Sequence, residues 1–200
     1  SMGNRIKTAA KATIALAVAL ENTPIVYAIQ GFTTELLPDK VANKVVSGNR
    51  KEYESFMPIV TIRYKEFGDR LSRIKGHLGG MSANFCNSDC LNVDGVSIEK
   101  SGRELLKRPE KRKVMMVLSD GEPNDGYSTV RGGCEKHLKN VVNSLAAQGV
   151  EVFGIGIESD AVSSYYPDYA VLNDVADLER EVIGKMEGLL LDGRHVRKAS

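Results

Sequence analysis

A short apolar run that changes abruptly to polar residues limits the fold more than any other feature of this chain. Residues 114–118 read Val-Met-Met-Val-Leu, and residues 119–121 read Ser-Asp-Gly. Five apolar residues are too few for a helix with its own apolar face, so the run predicts a strand buried on both faces. Such strands lie in sheets that helices cover on both sides, which indicates an α/β protein.

Predicted strands and helices alternate along the chain, which favours a mostly parallel central sheet flanked by helices. Polar stretches at residues 36–56 and 82–92 are expected to be irregular excursions. One domain is predicted over residues 1–191, followed by a tail at residues 192–200. The predicted strands are residues 25–29, 57–64, 114–118 and 150–157, and the Gly-Phe-Thr-Thr segment is expected to close the first of them. The predicted helices are residues 9–20, 70–78, 95–106, 135–148 and 176–191.

The composition argues against two classes of partner. A net charge of +1 and the absence of tryptophan do not predict a surface for nucleic acid. No apolar stretch reaches the roughly 18 residues that span a bilayer, so no membrane contact is expected. Three cysteines, an odd number, fit reduced thiols and a cytoplasmic location better than a disulfide framework.

Oxygen-bearing side chains cluster where predicted strands end or helices begin. Ser119 and Asp120 follow the apolar run, Asn92 and Asp94 open a helix, and Ser1 precedes the first helix. Because loops at the carboxyl ends of parallel strands meet at one sheet edge, these groups could share a hard cation such as Mg²⁺. The alternative is that Asp120 only caps the turn after its strand.

Other groups of residues give weaker evidence for a functional site. Cys86, Cys90, Cys134 and His137 could form a Cys₃His zinc site, but their spacing is not that of a zinc finger, and loose thiols are the simpler interpretation. His137 could instead orient the loop after Asp120 or be an ordinary histidine at the core edge. No nucleophile elbow or phosphate-binding loop is present.

The tyrosine pair at residues 165–166 follows a glycine-rich predicted strand. It could be a patch that faces a partner, or it could be partly buried against the last helix.

Seven motifs occur in one order along the chain, at residues 31–34, 92–95, 106–112, 119–123, 137–138, 154–157 and 165–166. With these motifs the chain resembles a von Willebrand factor type A domain, and within that fold the C-terminal A domain of the CobT subunit of aerobic cobaltochelatase. This resemblance implies a Rossmann-like three-layer fold.

The resemblance also implies a metal-ion-dependent adhesion site. Asp120 would be the third-loop ligand, directly or through water, and Asp94, or alternatively Asn92, would replace the usual second-loop threonine. Ser1 would match the last serine of the Asp-x-Ser-x-Ser motif. The aspartate and first strand of that motif would then precede residue 1, so Mg²⁺ binding is expected to be weakened or lost here. A serine and methionine left by cloning are the alternative explanation of the chain start.

The implied function is that of a non-catalytic interaction subunit. The partners would be a CobS-like AAA+ ATPase subunit and a large chelatase subunit that inserts Co²⁺ into a corrin ring. One alternative is the same domain paired with a MoxR-type AAA+ ATPase that remodels another target. A metal-dependent hydrolase with Asp120 as nucleophile or metal ligand is the second alternative.

Overall fold

A computed structural model describes residues 5–35, 37–46, 51–81, 91–126 and 130–174 of the 200-residue chain. Ser1, the final predicted helix and the predicted tail lie outside these ranges. The elements are α1 Arg5–Glu21, β1 Ile29–Thr34, α2 Asp39–Val46, β2 Ile59–Lys65, α3 Leu71–Gly79, α4 Asp94–Leu106, β3 Lys113–Ser119, α5 Gly133–Ala147, β4 Val150–Ile157, a 3₁₀ turn Ala161–Ser164 and β5 Asp168–Leu172.

Strands β3, β4 and β5 form a parallel sheet with β4 in the middle. The predicted strands at residues 114–118 and 150–157 are confirmed as β3 and β4. Strand β5 was not predicted, since five residues that mix Asp and Tyr with three apolar residues give a weak local signal. The α/β class with a parallel sheet between helices is confirmed.

Strands β1 and β2 form a separate antiparallel pair, with Gly31 opposite Ile62 and Thr34 opposite Ile59. The prediction of a strand over residues 25–29 is wrong, because β1 begins where that range ends. The Gly-Phe-Thr-Thr segment lies inside β1 rather than closing it. The backbone pairing with β2, which is not a local property, decides where this strand lies.

Helices cover both faces of the parallel sheet. On one face, Ala12 and Leu16 of α1 pack against Phe153 and Ile155 of β4. On the other face, α4 and α5 pack against residues that alternate with these along the strands. That second core contains Ile98, Val117, Leu138, Val141, Val142, Leu145, Val150, Val152, Val162, Tyr165 and Tyr166.

Two helices bridge from the parallel sheet to the antiparallel pair. Helix α1 also packs Ala17 against Leu78 of α3, and Ser101 of α4 donates a hydrogen bond to Gln30 of β1 at 3.0 Å. Within the described ranges, β3 has a strand neighbour on one edge only. Val114 and Met116 are therefore half-buried, which differs from the burial on both faces that their run predicts.

The first polar excursion is partly regular. Helix α2 lies within residues 36–56, so the prediction of an irregular segment is wrong there. Pro38 directly precedes the helix, and its carbonyl accepts hydrogen bonds from the N–H groups of Val41 and Ala42 at 2.8 and 3.0 Å. Proline and Asp39 at a helix start outweigh the polar composition of the segment. Most of the second excursion, residues 82–90, lies outside the described ranges. Across the described part of the chain, no helix is both long and apolar enough to cross a membrane.

Candidate metal site at the carboxyl edge of the sheet

Three element ends meet at the carboxyl edge of β3. Ser119, the last residue of β3, donates a hydrogen bond from Oγ to Oδ2 of Asp94 in the first turn of α4, at 3.3 Å. Arg5, the first residue of α1, donates from Nη1 to the backbone carbonyl of Asp120 at 3.0 Å. Two of the three predicted loops therefore converge at one edge, and the start of α1 lies beside them.

The carboxyl group of Asp94 is almost completely removed from water, with 2% of the residue exposed. Burial raises its pKa from the usual 3.8 to about 7; the hydrogen bond from Ser119 opposes that rise, and the charge of Asp120 adds to it. Within the described ranges, no Lys, Arg or His pairs with this carboxylate. The N-terminal end of α4 favours negative charge at this position.

Asp120 occupies the first position after β3 and is half-buried. Ser119 Oγ also contacts the carbonyl of Gly121 at 3.2 Å, so the turn that carries Asp120 is held on both sides. The carboxylates of Asp94 and Asp120 and the hydroxyl of Ser119 are the oxygen donors that Mg²⁺ prefers. They fit part of a cation site, although the described residues contain no group of three His, Cys, Asp or Glu side chains positioned to hold a metal.

Asn92 ties two loops together. Its side-chain Nδ2 donates to the backbone carbonyl of Glu122 at 2.8 Å, and its backbone carbonyl accepts from the backbone N–H of Asn124 at 3.0 Å. These bonds fix the loop after β3 against the segment that leads into α4. Of the two alternatives for the second-loop ligand, Asp94 presents a buried carboxylate, whereas the amide nitrogen of Asn92 is engaged in this loop contact.

A second buried carboxylate lies next to this edge but has its own partner. Asp125 is 2% exposed, and its Oδ2 accepts a hydrogen bond from the hydroxyl of Tyr53 at 2.8 Å. Tyr53 comes from the first polar excursion and packs against Gly133, where a β-carbon would come within 2.8 Å of the ring. The pattern of the sequence gave no signal for the Tyr53–Asp125 contact, because the two residues are far apart in the chain.

His137 packs beside the start of α4. Its ring lies 5.3 Å from that of Tyr53, and a β-carbon on Gly95 would collide with His137 Nδ1. Cys134 is a free, buried thiol whose pKa is raised by burial. Cys86 and Cys90 lie outside the described ranges. These contacts place His137 against Tyr53 and the first turn of α4, so its role in orienting the loop after Asp120 stays a prediction.

The tyrosine pair is buried. Tyr165 and Tyr166 are 9% and 3% exposed and belong to the core between β4 and α5. The interpretation of this pair as a partner-facing patch is wrong, because packing on the sheet removes both rings from the surface. Gly154 makes this possible, since a β-carbon there would come within 2.5 Å of Tyr166.

Comparison with known families decides the identity of the domain. Residues 1–192 match the family described as the VWA domain of cobalamin biosynthesis protein CobT. The chain belongs to this family. In this CobT-type A domain, Asp94 and Asp120 lie with Ser119 at the carboxyl edge of β3, and their role as metal ligands stays a prediction.

The CobT-type A domain is also similar to two curated proteins named Protein NorD, from Brucella abortus (strain 2308) and Brucella melitensis biotype 1. Each is 26% identical over 90 residues, which is 42% of this chain and 14% of the relative. The matched stretch thus spans about a seventh of the length of these relatives.

Proposed function

We propose that this CobT-type A domain is a non-catalytic interaction subunit that presents a divalent cation, Mg²⁺ or a similar ion, at the carboxyl edge of β3. The observation that supports this most directly is the Asp94 carboxyl group, buried beside Ser119 without a cationic partner in the described ranges. Burying an unpaired carboxylate is costly, and a bound cation would offset that cost.

In this proposal, Asp94 and Ser119 hold the cation and Asp120 contacts it directly or through water. The side chains of Asn92 and Arg5 position the loop after β3 by donating hydrogen bonds to the backbone carbonyls of Glu122 and Asp120. The resemblance implies a further hydroxyl ligand from Ser1, which lies outside the described ranges. When bound, the cation supplies a coordination position that a carboxylate of a partner protein can complete.

The partner that we propose is a CobS-like AAA+ ATPase subunit, working with a large chelatase subunit in cobalt insertion during cobalamin biosynthesis. Membership of the CobT family supports the pathway. The domain itself would transmit or scaffold rather than hydrolyse ATP, and the complex would be cytoplasmic.

A second candidate is an A domain that serves a MoxR-type AAA+ ATPase acting on another target. The similarity to proteins named NorD supports keeping this candidate, because a related sequence occurs in proteins that are not named for cobalamin biosynthesis. Association assays with both kinds of ATPase subunit separate the two candidates: binding only to the MoxR-type subunit would replace the cobaltochelatase proposal.

Calorimetric titration of Mg²⁺ tests the metal site. It would use this chain and a form extended upstream by the Asp-x-Ser-x-Ser strand that the family resemblance implies. We expect binding in the extended form, weaker or no binding in this chain, and loss of binding in Asp94→Asn. Asp160→Asn, which changes an exposed carboxylate of a nearby loop, is the matched control. Absence of binding in the extended form would overturn the metal site.

Pull-down with the ATPase subunit tests the interaction. Asp120→Ala in the extended form should abolish association while circular dichroism shows an unchanged fold. Association that survives this substitution would contradict the metal bridge. The hydrolase alternative predicts turnover by the purified protein with Mg²⁺ alone, so inactivity across a panel of phosphate esters would remove it.

A further inference from the structure

Tyr166 carries a buried hydroxyl group that the packing of the core does not explain. The residue is 3% exposed, and its hydroxyl has no hydrogen-bond partner within the described ranges. Leaving a buried hydroxyl unpaired is destabilising, so such a group in a native core calls for a specific explanation. Phenylalanine would fill the same space without this cost.

The sheet register places this hydroxyl on the same face as Asp94. The Tyr166 ring lies over Gly154, which pairs with Val117, and two residues further along the strands Gly156 pairs with Ser119. Ser119 holds Asp94 above this second pair. Residues two apart on a strand share a face, so the Tyr166 ring and the Asp94 carboxyl group lie over neighbouring positions of one face, and these strand positions are roughly 7 Å apart.

The electrostatics agree with this placement. Burial raises the pKa of Tyr166, and the negative charge of Asp94 raises it further. Ser119 engages one oxygen of the Asp94 carboxylate, Oδ2. A tyrosine hydroxyl can donate one hydrogen bond, and a single water molecule can bridge two polar groups that do not touch.

We propose that Tyr166 is a positioning residue of the cation site, and that its hydroxyl donates a hydrogen bond through one water molecule to the Asp94 carboxylate. This bond fixes the orientation of the carboxylate at the start of α4, as partners of metal-binding side chains do elsewhere. The inference rests on the proposed function and names a residue that neither the sequence motifs nor the family match assigns to the site.

Mg²⁺ titration of Tyr166→Phe in the extended form is the first test. We expect about tenfold weaker binding, the lower end of the range for lost supporting hydrogen bonds. Tyr64→Phe is the matched control, since it removes the hydroxyl of an equally buried tyrosine of β2 and should leave binding unchanged. Binding of Mg²⁺ by Tyr166→Phe at wild-type affinity would overturn the proposal.

A metal-free measurement separates this inference from the metal site itself. In EDTA, urea unfolding of Tyr166→Phe, Asp94→Asn and the double variant forms a double-mutant cycle. We expect the shifts of the unfolding midpoint to be non-additive, because the hydroxyl and the carboxylate share a water. Additive shifts would overturn the proposal. If the wild-type protein binds no Mg²⁺, the proposed function fails while this cycle still decides the interaction of Tyr166 with Asp94.

Discussion

Asp94 differs from an ordinary surface carboxylate in both its burial and its charge state. The residue is 2% exposed, and its pKa is raised from 3.8 to about 7, with burial as the largest cause. The folded protein therefore binds a proton more tightly at this position than the unfolded chain does. Its stability must depend on pH between these two values.

Without divalent cations, we expect stability to fall as the pH rises from about 4 to about 7. The folded state holds more protons than the unfolded state in this window, so raising the pH favours unfolding, by up to about 4 kcal/mol for three pKa units. Urea unfolding in EDTA at several pH values measures this. Asp94→Asn should flatten the profile in this window, and a variant profile as steep as the wild type would contradict the prediction.

Gly95 is expected to be intolerant of a side chain. A β-carbon there would collide with His137 Nδ1 and lie 3.3 Å from Cα of Leu138. We expect Gly95→Ala to destabilise the protein by about 1–3 kcal/mol through overpacking. Gly76→Ala is the matched control, because Gly76 also lies in a helix and nothing is within 4 Å of its added carbon. Thermal unfolding compares the two variants, and equal melting temperatures would contradict the prediction.

At the scale of elements, the segment between α2 and β2 reaches the site through Tyr53. Its hydroxyl donates to the buried carboxylate of Asp125, in the loop that also carries Asp120. The first polar excursion therefore supports the loop after β3. The sequence predicted the excursion but not this contact.

Tyr53→Phe should leave Asp125 buried without this donor. We expect a loss of about 1–3 kcal/mol in the free energy of unfolding, since an unsatisfied buried acceptor keeps its desolvation cost. Chemical denaturation measures it. Tyr27→Phe is a control of the same chemistry near the C-terminal end of α1, where the hydroxyl lies 3.0 Å from the carbonyl oxygen of Ala17 and 3.3 Å from Oε2 of Glu21. A smaller loss for Tyr53→Phe than for Tyr27→Phe would contradict the role of Asp125.

At the scale of the whole molecule, helices α1 and α4 contact both the parallel sheet and the antiparallel pair. Within the described ranges, no strand of one sheet pairs with a strand of the other. Helix α1 contacts the cores on β4 and on α3. Helix α4 contacts β2 and β3 and forms the Ser101–Gln30 hydrogen bond to β1. In the part of the chain that the structure describes, no strand pairs with β3 on the edge away from β4. An unpaired edge with half-buried apolar residues favours association with another strand.

An upstream strand that pairs with this edge should raise stability. We expect the extended form to melt several degrees higher than this chain, at about 2–4 °C for each kcal/mol gained. Differential scanning calorimetry measures the gain, and hydrogen exchange should show new protection at Val114 and Met116. A melting temperature no higher than that of this chain would contradict the pairing.

The local pattern of the sequence predicted the elements that have either a continuous apolar run or apolar residues at helical spacing. Strands β3 and β4 and helices α3, α4 and α5 fall within one or two residues of their predicted ranges. Hydrophobic periodicity is a property of neighbouring residues, so it can be read without knowledge of the fold. The positions of the oxygen-bearing side chains predicted the loops of the candidate site, and the resemblance added the family and the ligand roles.

Only the tertiary structure decided the features that depend on distant contacts. The position of β1 follows from its pairing with β2, and the burial of Tyr166 follows from its packing on Gly154. The contact between Ser119 and Asp94 joins residues 25 positions apart. Backbone pairing and core packing bring together residues that carry no common local signal, so the sequence determined the elements and the candidate ligands while the fold determined which of them meet.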